Sequence, residues 1–222
     1  MSRKPSKSKS IVPILILVAA VLLWGFDAYR QGDLGSLREK TQSPQAQSSE
    51  PAGASSRTGL YDTYAGCTLV SDRGNDGDSF RVKLPDGRSE IIRLYFVDTP
   101  ESAFKNYGGG RNNHGRIADQ AADMGGITSE QAVEIGKKAK DFTLTHLGKA
   151  PFTLHTEWDS PFNDKRYHGF IELSYNGKTR FLHELLVEKG YARIHTKGAS
   201  LPDGTSERAQ ESRLRALRPK ER

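Results

Sequence analysis

Two β-patterned runs joined by a turn, with acids gathered at their open ends, constrain this chain most. Ser79 to Leu84 alternates, placing Phe80, Val82 and Leu84 on one face. Pro85-Asp86-Gly87-Arg88 reads as a turn, and Ile91 to Val97 is a second β-rich run, so the two form a hairpin. Asn75-Asp76-Gly77-Asp78-Ser79 leads into the first strand. Asp98-Thr99-Pro100-Glu101 leaves the second, where Pro100 stops strand pairing. Asp78, Asp98, Glu101, Thr99 and Arg93 therefore fall at strand ends able to meet in space. That set supplies oxygen ligands for a hard cation, a carboxylate base and a guanidinium for phosphate. Taken singly, each piece has a plainer explanation: Asp-Gly pairs make many turns, and strands commonly end in polar residues. The spacing of Arg, Asp, Thr and Glu together is what argues for chemistry.

The rest of the domain reads as mixed α and β. Cys67 to Asp72, Phe152 to Trp158 and Gly169 to Tyr175 are predicted strands, the last closing in the turn Tyr175-Asn176-Gly177-Lys178. Ser129 to Leu147 is predicted helical, with Ala132, Ile135, Ala139, Phe142 and Leu147 on its apolar face. Phe181 to Lys189 reads as a short helix stopped by Gly190, and Ser206 to Leu217 as a last, charged one. Residues 102–128, with Gly108-Gly109-Gly110 and Asn112-Asn113, read mainly as a loop. The expected fold is α+β: a five-stranded OB-type barrel with about three helices.

The N-terminal part differs in kind. Residues 1–10 carry Arg3, Lys4, Lys7 and Lys9 without an acid, and an apolar run follows from Ile11 to Phe26. The expected reading is a transmembrane signal-anchor over 11–27 with its basic flank inside. The alternative is a cleaved signal peptide, although Trp24 and Phe26 stand where a cleavage site would need small residues. Residues 28–58, rich in Gln, Ser, Gly, Ala and Pro, read as a disordered linker to a domain over 59–222. The domain is then expected on the extracytoplasmic side, periplasmic or extracellular, and secreted if the segment is cleaved. A single cysteine, Cys67, rules out an intrachain disulfide and a cysteine-rich zinc site. Lys and Arg outnumber Asp and Glu by 33 to 27, an excess too modest to separate polyanion binding from solubility.

Arg93-Leu94-Tyr95-Phe96-Val97-Asp98-Thr99-Pro100-Glu101, with Asp76-Gly77-Asp78-Ser79 before it, resembles the hallmark of the staphylococcal nuclease (thermonuclease) family. Val133-Glu134-Ile135-Gly136 through Ala139 and Phe142 looks like that family's first helix, and His183 to Arg193 like its second helix and following turn. The resemblance spans roughly Tyr64 to Leu217. It implies calcium (Ca2+) bound by Asp78, Asp98 and the Thr99 carbonyl, water activation by Glu101, and phosphate binding by Arg93.

Three departures follow. The family's second catalytic Arg sits in a stretch that here reads Asp164-Lys165-Arg166-Tyr167-His168-Gly169, which puts His168 at its position. Arg166 then supplies the second guanidinium, or His168 donates a proton to the leaving oxygen. Thr196, Lys197 and Gly198 stand where stacking tyrosines are expected, so base stacking is expected to be different or weaker. The loop after Glu101 is longer and carries Lys105, Tyr107, Arg111, His114 and Arg116, which clamp a strand or are merely solvated. Lys165 and Arg111 are the candidate substrate-binding cations. His114 with Asp119 and Asp123 reads as a chance grouping rather than a second metal site.

The resulting expectation is a membrane-tethered, calcium-dependent nuclease acting on DNA and/or RNA with little sequence preference, with no obligate protein partner. Its rivals are a catalytically weak or inactive OB-fold nucleic-acid binder and an anchored protein-interaction domain.

Overall fold

Residues 55–160 and 164–219 are described in this computed structural model. The signal-anchor read at 11–27, its basic flank and most of the linker lie outside them. Among the described residues no helix is long and apolar enough to cross a membrane. The linker read through residue 58 ends earlier, because Ser55–Thr58 form strand β1, paired antiparallel with β2.

The barrel is built from β2 (Tyr61–Leu69), β3 (Ser79–Lys83), β4 (Ser89–Leu94), β6 (Phe152–Thr156) and β7 (Arg166–Tyr175). They run in the order β2-β3-β4-β7-β6, and β6 pairs back onto β2, so the five strands close. Closure leaves none of these strands as a bare edge. All pairings are antiparallel except β4 with β7. β8 (Lys178–Phe181) extends β7, and β5 (Val97–Asp98) pairs with β9 (Arg193–Ile194) in a separate two-stranded ribbon. The expected five-stranded α+β barrel is therefore present. β2 starts six residues before the strand read at Cys67, and it bulges at Gly66, whose φ of +84° suits glycine.

Among the described residues there are four α-helices, one more than expected: α1 (His114–Asp123), α2 (Ser129–Leu147), α3 (Leu182–Glu188) and α4 (Glu207–Leu217). α2 starts at a reciprocal cap, in which Thr128 accepts from the Gln131 amide and the Gln131 side chain accepts from the Thr128 amide. α1 overturns the reading of residues 102–128 as mainly loop. Its buried Ile117 and Ala121 pack with Ala132 and Val133 of α2 in a small core of their own.

The barrel interior is filled by Phe80, Val82, Ile92, Leu94, Leu154 and Ile171, all buried, while the neighbouring Phe170 points to the other face and packs on Tyr95, Phe181 and His183. Each such side chain contributes about 1.5–3 kcal/mol relative to exposure. Cys67 is wholly buried, and burial pushes its thiol up to about 12, which fits a packing role.

Where α3 meets α4, the Gln210 amide lies 2.8 Å from His183 Nε2 and donates to Glu184 at 3.0 Å. Burial drives the His183 pKa from 6.5 down to about 3, with Arg213 adding to the effect. The unfolded chain thus binds a proton that the folded chain refuses, and stability falls as pH drops below 6.5 toward 3. We expect the melting temperature of His183→Leu to fall less steeply than that of wild type between pH 6.5 and 4. Parallel slopes would show that His183 does not titrate with unfolding.

Candidate active site

Both acidic turns rest on α2. A Cβ at Gly136 would come within 2.5 Å of the Pro100 and Glu101 carbonyl oxygens. One at Gly77 would come within 2.9 Å of Ala139 Cβ. Thr143 Oγ1 donates to the Gly77 carbonyl at 2.8 Å. Gly136, Ala139 and Thr143 lie on one helical face, so a single helix fixes both turns at once. The hairpin supplies the rest: Ser79 sits opposite Arg93, and the Leu94 amide donates to the Asp78 carbonyl at 2.9 Å.

The second strand does not run through to Val97 unbroken. β4 ends at Leu94, Phe96 takes a left-handed φ of 69°, and the chain re-enters extended geometry at Val97. That turn carries Asp98 onto β9, opposite Arg193. Asp78 Oδ2 accepts from the Thr99 amide at 2.9 Å, and Arg93 lies 3.7 Å from the same oxygen. Asp98 Oδ1 accepts from Arg93 at 2.9 Å and from Arg116 at 3.1 Å. Its Oδ2 accepts from Gln120 at 2.8 Å and from Arg193 at 3.0 Å.

The two aspartates are held oppositely. Burial raises Asp78 to about 6 despite the opposing charge of Arg93, and the neighbouring Asp98 adds to the rise. Burial also pushes Asp98 upward, but the Gln120 hydrogen bond with Arg116, Arg193 and Arg93 outweighs it, so Asp98 lies below the usual carboxylate range. Asp98 is the more readily ionised member of the pair.

Arg116 and Gln120 both come from α1. The Gln120 side chain donates to the Thr99 carbonyl at 3.1 Å and accepts from the Glu101 amide at 3.1 Å. Arg116 Nε lies 3.3 Å from Glu101 Oε1, and Lys105 Nζ lies 3.8 Å from Oε2. Asn113, buried ahead of α1, donates to the Ala103 carbonyl at 2.9 Å and accepts from the Lys105 amide at 2.7 Å. The segment after Glu101 is thus the element that orients it. Its only signals in the sequence are the Ile117/Ala121 spacing and the Asn residues before it.

The model of the staphylococcal nuclease homologue family matches residues 91–218, more than half of the chain. This chain belongs to that family. The match takes in Arg93, Asp98, Thr99 and Glu101 and begins after Asp78. Staphylococcal nuclease homologues are in general nucleic-acid hydrolases. A search among curated proteins finds no match to this chain.

A cleft of about 660 Å³ lies against Asp98. Arg93, Arg116, Arg166, Arg193 and Lys197 line it, with Asp164, His195 and Thr196. Arg166 therefore borders the same space as Arg93 and Asp98, while ion-paired to Asp164. His168 does not. It is partnered with Arg93 across the parallel β4–β7 pair, yet it is only 1% exposed and stacks on Tyr95. Asp159 Oδ2 lies 3.2 Å from its Nδ1, and Nε2 is buried without a partner among the described residues. Burial lowers the His168 pKa against the opposing pull of Asp159. Enclosed in this way, the imidazole does not face the cleft and has no route to a leaving group there. The proton-donor role weighed for His168 is therefore set aside on grounds of access. Lys165 is exposed with a left-handed φ of 61°, and Arg111 is exposed, its side chain reaching the Gly108 carbonyl; neither lines the cleft. His114 packs edge-on against Phe104, and Asp123 pairs with Arg193; among the described residues His114, Asp119 and Asp123 do not form one cluster.

The donor set suits a hard cation in chemistry, since Asp78, Asp98 and the Thr99 carbonyl offer only oxygen. Asp78 Oδ1 makes no hydrogen bond among the described residues, which leaves that oxygen for a further ligand. Among the described residues no three His, Cys, Asp or Glu side chains converge on one point. A cation here would draw its remaining ligands from water or phosphate oxygen.

Proposed function

We propose that the domain is a calcium-dependent nuclease that hydrolyses phosphodiester bonds of DNA and/or RNA with little sequence preference. The observation that carries this reading is the meeting of Asp78, Asp98 and Arg93 at the open end of one hairpin, beside Glu101 and a guanidinium-lined cleft. Asp78, Asp98 and the Thr99 carbonyl would hold the ion, which when bound offsets the charge of the diester oxygens. Glu101 accepts the proton of the attacking water. Arg93, fixed between two aspartates, offers N–H groups to phosphate oxygen at the cleft wall. Arg166 lines the same wall and is the better second guanidinium than His168. The cleft presents cations rather than readers of base edges, which suits backbone recognition without sequence choice.

The N-terminal segment over 11–27 completes the proposal: it tethers the domain to the membrane, with residues 59–222 on the extracytoplasmic side, or releases it if cleaved. A second reading, a nucleic-acid binder without turnover, draws on the enclosed His168 at the position of the family's second Arg.

Calcium separates the two. We expect the full-length protein to degrade single-stranded DNA or RNA with calcium and to stop when a chelator is added. Asp78→Ala should behave like the chelated wild type. Oligonucleotide binding without cleavage at any calcium concentration would establish the second reading.

A further inference from the structure

Asp98 has no room for another partner. A carboxylate offers about four lone-pair sites, and Arg93, Arg116, Gln120 and Arg193 occupy them. A cation can share Asp98 only if one of these donors withdraws. Three are locked. Gln120 is fully buried and also ties the Thr99 carbonyl and the Glu101 amide. The side chain of Arg193 is 8% exposed and anchored to Asp123, and that of Arg93 is 10% exposed beside Asp78. The side chain of Arg116 is 48% exposed, stands at the cleft and has a second acid, Glu101, within 3.3 Å.

We infer that Arg116 is the exchangeable cation of this site: it competes with a divalent ion for Asp98 and, once displaced, turns its guanidinium onto the diester oxygens in the cleft. The inserted helix α1 thereby supplies a phosphate-binding arginine from outside the barrel. Until the ion arrives, the same arginine neutralises the acids. This rests on the calcium-dependent nuclease reading. It predicts a signature that a merely structural arginine would not give. Losing the competitor tightens ion binding, while losing the phosphate contact slows turnover.

The test is calorimetric titration of the full-length protein with calcium alone, beside turnover of a single-stranded oligonucleotide. Arg116→Ala is expected to bind calcium about tenfold more tightly, the scale of one unit charge removed from near a divalent ion, and to turn over about 10²-fold more slowly. Arg116→Lys should fall between it and wild type on both axes. Lys178→Ala, a one-charge change in the exposed β7–β8 turn, should alter neither. Unchanged or weaker calcium affinity in Arg116→Ala overturns the inference, and so does unchanged turnover. A wild-type protein that takes up no calcium or cleaves nothing would instead sink the nuclease reading, so the two failures are told apart.

Discussion

Glu101→Gln is expected to lower turnover by about 10²–10⁴-fold, the range for loss of a positioned proton acceptor, while the protein stays folded. The substitution keeps the shape of the side chain and the Asn113 approach at 3.5 Å. It removes the carboxylate that Arg116 and Lys105 approach at 3.3 and 3.8 Å. Both of those cations are about half exposed, and such pairs contribute about 0–1 kcal/mol each. The Glu101 backbone stays fixed by Gln120 and by the close passage of α2 at Gly136. The melting temperature should therefore move little while turnover collapses. Calcium affinity should also hold, because the proposed ligands are Asp78, Asp98 and the Thr99 carbonyl. Wild-type turnover in Glu101→Gln would remove Glu101 from the chemistry and shift attention to Asp76, whose carboxyl is raised by burial in the same turn.

Much of the architecture was legible because local pattern and tertiary structure agree. The β3–β4 hairpin follows from the alternation of Phe80, Val82 and Leu84 around Pro85-Asp86-Gly87-Arg88. α2 spans the predicted Ser129 to Leu147 because its apolar spacing and its cap point the same way. α1 was not legible. Its buried face is Ile117, Gln120 and Ala121, so a glutamine stands where a helix pattern demands an apolar residue. That glutamine is buried because it bonds Asp98, Thr99 and Glu101, a reason no periodicity can express. The kink at Phe96 was equally hidden, since Phe at a positive φ has no sequence signal. His168 could be aligned with the family's second Arg, but its enclosure depends on Tyr95 and Asp159 from two other segments. The candidate site was thus readable as a list of acids and two arginines, Arg93 and Arg166. Its electrostatic framework from α1 and β9 was not.

That framework makes Asp98 the position whose loss should harm the fold most. Asp98→Ala is expected to destabilise the protein by about 3–5 kcal/mol, the usual cost of leaving buried charge unpaired. The figure should lie toward the lower end, because each of the three arginines retains another acid. Arg93 keeps Asp78 at 3.7 Å, Arg116 keeps Glu101, and Arg193 keeps Asp123. Arg93 nevertheless stays nearly buried, and Gln120 loses one of its acceptors. Asp98→Asn separates charge from shape. Its amide can accept at one atom but presents hydrogens to two donors at the other, whichever way it is turned, so it should recover little of the loss. Urea unfolding gives the measurement: the midpoint should fall in both variants with the slope preserved. A stability within about 0.5 kcal/mol of wild type would mean that solvent already screens the cluster. In that case Asp98 would serve ligand binding alone. A large fall would show that one carboxylate both ties β5, β9 and α1 together and faces the cleft, so that the acid proposed to hold the ion is also the acid that holds the site.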